Sequence, residues 1–313
     1  MGLLIQIILL LIGFFLLIKG ADVFVDGASN IAYHFKISTI VVGLTIVAFG
    51  TSSPEAAVSI TSALAGNISL YMGNIIGSNI FNILAVIGIS ALIANLSVDK
   101  VLIKRDFPFT IISSVGLLIV AYIFGEINRV VGLIFLIVFI IYVYYTVVQS
   151  KKELKAPEEI VEAKLSVPKA VLYIIIGLIG VIVGSDLVVN SSSFIASSFG
   201  LSDALIGLTI VAIGTSLPEL VTSITALKKG EHGMVIGNVL GSCIFNILFI
   251  TGITSVLLPT PIEPKMITDI FVMTLIIILG SIFATTKEEM DRKEGLVLVI
   301  LFLIYMAFII IRN

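Results

Sequence analysis

Long apolar segments, separated by short polar loops, recur along the whole chain. Most of them are long enough to cross a bilayer as helices, which takes about 20 residues, and they lack the short alternating strands of a porin-like barrel. We therefore predict an all-α integral membrane protein with ten transmembrane helices. The spans are expected at residues 3–33, 38–66, 70–94, 107–125, 129–149, 168–198, 202–227, 232–258, 265–284 and 293–311.

The apolar pattern is interrupted in the middle of the second span. There the segment GLTIVAFGTSSPE, residues 43–55, places a proline and a carboxylate side by side. Proline has no N–H and clashes with the carbonyl four residues back, so we expect the helix to stop and to release the carbonyls of residues 48–51. Pro54 should then begin a new half-helix, with Ser52 or Ser53 as its cap.

Three polar motifs occur twice. G-x-D at positions 20–22 returns at 184–186, the interrupted span returns as GLTIVAIGTSLPE at 207–219, and GNIIGSNIFNIL at 73–84 returns as GNVLGSCIFNIL at 237–248, always at the same offset along the chain. An ungapped match over three segments indicates internal duplication, and we call two residues separated by this offset equivalent. Because each copy holds five predicted spans, the second copy should cross the membrane in the opposite direction, an inverted-topology repeat typical of secondary transporters.

The duplication predicts two halves joined by a linker. We expect an N-terminal five-helix repeat over residues 1–149, a cytoplasmic linker over residues 150–167 and a C-terminal five-helix repeat over residues 168–313.

Composition and charge agree with a membrane protein. Hydrophobic residues make up 58% of the chain and charged residues 12%, which is far more apolar than a soluble domain. The net charge of −2 gives no sign of nucleic-acid binding. Fourteen of the 18 Lys and Arg residues fall in the loops that follow odd-numbered spans. The positive-inside rule therefore places those loops in the cytoplasm and both termini outside.

Both interrupted spans collect oxygen donors around an acid. A carboxylate inside a membrane is costly and indicates a functional site. Carboxylate, hydroxyl and carbonyl oxygens, without thiolate or imidazole, suit hard cations such as Ca²⁺ or Na⁺. The candidate ligands from the two copies are Ala48, Thr51, Ser52, Glu55, Ala212, Thr215, Ser216 and Glu219.

The third and eighth spans carry further polar side chains at helical spacing. Asn74, Ser78 and Asn82 recur every four residues and therefore share one helix face, beside the small pair Gly73 and Gly77. Intramembrane Ser and Asn often only bond neighbouring helices, and we assign Asn74 and its equivalent to that role. The residues expected to contact ions are Ser78, Asn82, Ser242 and Asn246.

The paired GTSxPE and GNxxGSxxxN segments resemble the repeats of the cation/Ca²⁺ exchanger superfamily, in particular its prokaryotic Na⁺/Ca²⁺ exchangers. The resemblance implies two inverted five-helix halves, with the second, third, seventh and eighth helices around a midplane site and the first and sixth sliding across them. It implies that Ca²⁺ is held by Glu55, Glu219 and the carbonyls of Thr51 and Thr215. The implied Na⁺ ligands are Ala48, Thr51, Ser52, Glu55, Ser78, Ala212, Thr215, Ser216, Glu219 and Ser242.

Two positions depart from the family pattern. Asn82 and Asn246 are both neutral, whereas some relatives carry an aspartate at the position of Asn246, so a K⁺ site is not expected. Ser53 replaces the leucine of the usual motif, which Leu217 retains in the second copy.

The sequence therefore predicts a secondary antiporter that exchanges Na⁺ for Ca²⁺ in the plasma membrane of a prokaryote. An H⁺-coupled exchanger of divalent cations with the same fold and a passive cation channel remain alternatives. An enzyme is not expected, because the His residues lie at predicted span ends, and an ATP-driven pump would need a nucleotide-binding motif. The expected partners are small inorganic cations and the lipid bilayer, with no cofactor and no obligate protein partner.

Overall fold

The computed structural model describes residues 2–153, 163–200 and 212–312, and helices account for most of them. The helices before the linker are α1 (Leu3–Phe35), α2 (Thr39–Thr51), α3 (Ser53–Leu64), α4 (Ile68–Ile93), α5 (Leu102–Phe124) and α6 (Arg129–Glu153). Those after it are α7 (Val167–Ser198), α8 (Ala212–Gly214), α9 (Leu217–Lys228), α10 (His232–Leu257), α11 (Pro264–Thr286) and α12 (Arg292–Arg312).

The described residues contain eight helices long and apolar enough to cross a membrane, and the bent pair α2–α3 makes a ninth. Their bounds lie within a few residues of the predicted spans, although α5 begins at Leu102 where the span was expected to start at residue 107. The predicted seventh span, residues 202–227, lies partly outside the described residues. The all-helical membrane architecture is confirmed, and the count of ten spans stays a prediction.

Two helices form the centre of the bundle. In the most apolar stretch of α4 and of α10, 83% and 89% of the residues are buried, whereas the share in α12 is 11%. Because a span that faces lipid leaves most of its surface uncovered by protein, α4 and α10 are interior and α12 is peripheral. These two interior helices carry the two copies of the GNxxGSxxxN motif.

The two longest helices, α1 and α7, pack against each other backbone to backbone. A Cβ atom on Gly177 would overlap the backbone nitrogen of Phe24, and one on Gly184 would overlap the backbone nitrogen of Leu17. Since only glycine permits such contacts, small residues set the distance between these helices. The pair therefore forms one closely packed unit beside the rest of the bundle.

Two short antiparallel strand pairs connect the parts of the chain before and after the linker. β1 (Leu96–Ser97) pairs with β4 (Glu289–Met290), and β2 (Glu126–Ile127) pairs with β3 (Thr260–Pro261). The first residue of β3 is equivalent to the first residue of β1, and β4 contains the equivalent of the first residue of β2. The duplication seen in the sequence therefore extends to the connections between helices.

Candidate ion-binding site

The first acidic motif lies where one helix bends into another. α2 and α3 meet at an angle of 47° around Ser52. Pro54 cannot donate an N–H to the carbonyl of Gly50, four residues back, so a continuous helix is not possible here. The Ser53 hydroxyl donates to that carbonyl instead, at 2.6 Å. Glu55 is thereby placed in the first turn of α3, fully inside the protein.

Two details of the predicted break were wrong. Pro54 is not the first residue of α3, because the helix begins at Ser53. Ser52 does lie at the predicted N-cap position, although its side chain makes no capping bond. The carbonyl of Ala48 is not released, since it accepts the Ser52 N–H at 2.9 Å. Proline removes its own N–H, and the carbonyl that loses this helical partner is that of Gly50.

The second acidic motif has the same form. α8 ends at Gly214 and α9 begins at Leu217, which puts Glu219 in the first turn of α9. The Ser216 N–H donates to the carbonyl of Ile213 at 3.1 Å, which closes a tighter turn than in the first motif. The Gly214 carbonyl accepts a hydrogen bond from the hydroxyl of Ser185 on α7, at 2.8 Å. Ala212, also predicted to be a ligand, is the first described residue of α8.

Each glutamate is bonded by a serine of the other motif. The Ser52 hydroxyl donates to Glu219 Oε1 at 2.7 Å, and the Ser216 hydroxyl donates to Glu55 Oε1 at 2.9 Å. The exposed fractions of Glu55 and Glu219 are 1% and 0%. Two carboxylates from distant parts of the sequence are therefore brought together in the interior by these reciprocal bonds.

Serines of the two interior helices complete the inner layer. The Ser78 hydroxyl on α4 lies within hydrogen-bond distance of the Ser216 hydroxyl, at 3.1 Å. Ser242 on α10 lies 3.5 Å from Glu219 Oε1, at the limit of a hydrogen bond. Both side chains are buried, so the structure brings both predicted serines to the glutamates.

Asn74 and Asn238 form an outer layer that holds the bent helices. The Thr51 hydroxyl donates to Asn238 Oδ1 at 3.2 Å, and the Thr215 hydroxyl donates to Asn74 Oδ1 at 3.4 Å. The Asn74 amide donates to the Glu55 carbonyl at 3.2 Å. The Asn238 amide donates in the same way to the backbone carbonyl of Glu219 at 3.4 Å. These two asparagines therefore bond neighbouring helices, as assigned from the sequence.

Two serines in this outer layer were missed by the sequence analysis. Ser59 accepts a hydrogen bond from Asn74 at 2.9 Å, and Ser223 accepts one from Asn238 at 3.0 Å. Each lies one helical turn after the glutamate of its own motif, and the two serines are equivalent. This spacing on a helix, together with the duplication, was the signal that could have revealed them.

Several buried polar atoms at the centre have no hydrogen-bond partner among the residues that the structure describes. They are Oε2 of both Glu55 and Glu219 and both side-chain polar atoms of Asn82 and Asn246. Unpaired polar atoms in a protein interior are costly unless water or an ion satisfies them. A π-helical turn includes Asn82, and another includes Asn246, a distortion frequent at functional sites.

The available donor set is one of oxygen ligands. Among the described residues, no three His, Cys, Asp or Glu side chains cluster in a way that could hold a transition metal. Two carboxylates with hydroxyl and amide oxygens fit Ca²⁺ or Na⁺ instead, because hard cations prefer oxygen. The arrangement therefore has the chemistry of a buried cation site.

Comparison with known proteins gives matches over nearly the whole chain. The family model described as "Sodium/calcium exchanger protein" matches residues 5–148 and 169–311. A putative antiporter, CaxA of Alkalimonas amylolytica, is 39% identical over 96% of this chain and 98% of its own length. The inner membrane protein YrbG of Escherichia coli is 31% identical over 96% of this chain and 95% of its own length.

A solved structure agrees with these matches. The structure of the sodium-calcium exchanger NCX_Mj soaked with Na⁺ and Sr²⁺ is 35% identical in sequence and has a TM-score of 0.86. The match covers 98% of this chain and 99% of that one. The agreement of fold, motifs and sequence identifies the chain as a cation/Ca²⁺ exchanger, a member of the sodium/calcium exchanger protein family.

Proposed function

We propose that this protein exchanges Na⁺ for Ca²⁺ by alternating access through one central site. The observation that supports this most strongly is the pair of buried glutamates, each with one oxygen bonded by a serine of the other repeat and one oxygen that has no partner in the described part of the chain. The proposed ion ligands are Glu55, Glu219, Thr51, Thr215, Ser52, Ser216, Ala48, Ala212, Ser78, Ser242, Asn82 and Asn246.

The charges of the site favour exchange over leakage. Two unpaired carboxylates in an interior of low dielectric cost several kcal/mol each, so an empty site should resist full enclosure. One Ca²⁺ neutralises both Glu55 and Glu219, and Na⁺ ions neutralise them in turn. The site can therefore reorient when either ion fills it, and the protein needs no cofactor.

Two inverted five-helix halves, residues 1–149 and 168–313, would supply this site in equal parts. The strand pairs support this arrangement, because β1 pairs with β4 whereas their equivalents β3 and β2 form the other pair. The basic residues of the odd-numbered loops, including those of the linker at 150–167, support a cytoplasmic location for that side in a prokaryote. Both termini would then be extracellular.

The packing around the site supports a state that is closed on the cytoplasmic side. α1 packs along α9, the cytoplasmic half of the bent span in the second repeat. The equivalent pair of helices, α7 and α3, makes few contacts or none over its described length. Thr225 on α9 is 8% exposed, while its equivalent Thr61 on α3 is exposed. Alternating access would exchange these two arrangements.

Lys229 strengthens the cytoplasmic closure. Its Nζ lies 2.7 Å from Asp26 Oδ1 and donates to the carbonyl of Asp22 at 2.8 Å, which ties the end of α9 to α1. The equivalent residue in the first repeat is Ala65, which cannot form an ion pair. The bond therefore holds the cytoplasmic side, and the equivalent position in the first repeat cannot supply the same ion pair.

Lys229→Ala should open the cytoplasmic side more often. Exposed ion pairs contribute up to about 1 kcal/mol, so we expect a thiol placed on α9 to react about threefold faster with a maleimide. The measurement uses Thr225→Cys in a Cys243→Ser background, with and without Lys229→Ala. Lys228→Ala, at the exposed neighbouring position, is the matched control. Equal labelling rates with and without Lys229→Ala would refute this role.

The proposed exchange is tested by Ca²⁺ uptake into proteoliposomes under controlled membrane potential. Uptake driven only by an outward Na⁺ gradient supports Na⁺/Ca²⁺ exchange. Uptake driven by a proton gradient alone would assign the protein to H⁺-coupled exchangers. Uptake without any opposing ion would mean a passive channel and would overturn the proposed mechanism.

A further inference from the structure

The two bent helices satisfy the same broken hydrogen bond in different ways. Each motif has a proline that leaves one glycine carbonyl without its helical N–H, Gly50 in the first and Gly214 in the second. The hydroxyl that reaches the Gly50 carbonyl comes from Ser53, inside the motif, at 2.6 Å. The hydroxyl that reaches the Gly214 carbonyl comes from Ser185, on α7, at 2.8 Å.

The serine that donates to the glycine carbonyl lies at a different position in each repeat. The equivalent of Ser53 in the second copy is Leu217, and the equivalent of Ser185 in the first copy is Ala21. Neither Leu217 nor Ala21 has a side-chain donor. Ser53, which departs from the family motif, thus supplies locally what α7 supplies to the second motif.

The Ser185 bond leads directly into the ion site. Gly214 begins the turn that continues through Thr215 to Ser216, and the Ser216 hydroxyl donates to Glu55 at 2.9 Å. One helical turn after Ser185, Val189 packs so closely that its Cγ2 would overlap a Cβ placed on Gly214. α7 therefore contacts the second bend by both a hydrogen bond and direct packing.

We propose that Ser185 is a positioning residue for the C-terminal half of the ion site, a role that rests on the proposed exchange function. By holding the Gly214 carbonyl, Ser185 fixes the turn from which Ser216 reaches Glu55. The N-terminal half has its own donor in Ser53 and does not depend on α1 in this way. The shape of the C-terminal half of the site is thus tied to the position of α7.

A double-mutant cycle tests this role, because a serine at position 217 would supply the donor locally, as Ser53 does. Ser185→Ala leaves a buried carbonyl without a donor, and we expect it to raise the half-saturating Ca²⁺ concentration about tenfold. In a Leu217→Ser background the same change should cost less than about twofold. Ser197→Ala, an exposed serine of α7 that bonds its own helix, is the control.

The cycle has outcomes that separate this role from simple packing. An equal loss of Ca²⁺ affinity in both backgrounds would overturn the proposal, because a packing defect at position 185 is not repaired by a hydroxyl at position 217. An unchanged half-saturating concentration in Ser185→Ala would overturn it as well.

A second measurement keeps this inference separate from the proposed function. The unfolding temperature of the detergent-purified variants, without Na⁺ or Ca²⁺, should fall by about 3 °C on Ser185→Ala and be unaffected by that change when Leu217→Ser is present. If wild-type proteoliposomes show no Na⁺-driven uptake, the proposed function fails, and these temperatures still report on the bond. If wild type exchanges ions and the cycle shows no coupling, only the role of Ser185 fails.

Discussion

Glu55→Gln and Glu219→Gln should each reduce Na⁺-driven Ca²⁺ uptake by at least about a hundredfold. Glutamine keeps the size of the side chain and an oxygen that can accept the serine hydroxyl, but it removes one of two negative charges in a fully buried site. The Coulomb energy between a buried charge and a divalent cation amounts to several kcal/mol. Each loss of roughly 1.4 kcal/mol in binding free energy weakens affinity tenfold. The loss should therefore be nearly complete for either substitution.

The measurement is radioactive Ca²⁺ uptake into Na⁺-loaded proteoliposomes that contain equal amounts of each variant. Glu126→Gln removes an exposed carboxylate in β2 and serves as the matched control. Size-exclusion profiles of the purified proteins establish that each variant is folded. Retention of more than about a tenth of wild-type uptake by either central variant would contradict a Ca²⁺ site shared by both glutamates.

The duplication made much of the site predictable from the sequence. Pro54 beside Glu55 in an apolar span indicated a bent helix with a buried acid, and the second copy supplied the same set. The helical spacing of Asn74, Ser78 and Asn82 placed them on one face, and the structure brings Ser78 to the bonded serine Ser216. Each of these inferences depends on local geometry, which short sequence patterns determine.

The cross-bonding between repeats could not be predicted in the same way. Whether Ser52 bonds Glu55 or Glu219 depends on how the two halves face each other, and no spacing within one half contains that information. The sequence likewise showed Ser53 to be unusual without showing its purpose. Its role becomes visible only beside the bond from Ser185, because the two hydroxyls meet equivalent carbonyls from different directions.

Gly241→Val should separate α10 from α2 and lower both stability and transport. A Cβ at this position would lie 2.5 Å from the Leu44 carbonyl oxygen and 2.7 Å from the Ala48 Cβ. Because two of the obstacles are the backbone carbonyl of Leu44 and the short side chain of Ala48, the helices must move apart. Overpacking of this kind costs about 1–3 kcal/mol or more, and we expect the unfolding temperature to fall by at least about 5 °C.

The same separation would damage the ion site, because Gly241 lies between two residues that contact the bent helices. Asn238 accepts the Thr51 hydroxyl at 3.2 Å, and Ser242 approaches Glu219 at 3.5 Å. The unfolding temperature and the rate of Ca²⁺ uptake should therefore fall together in Gly241→Val. Gly116→Val is the control, since no described atom lies within 4 Å of a Cβ at that position on α5. A Gly241→Val protein with wild-type stability and uptake would show that close contact between α10 and α2 does not shape the site.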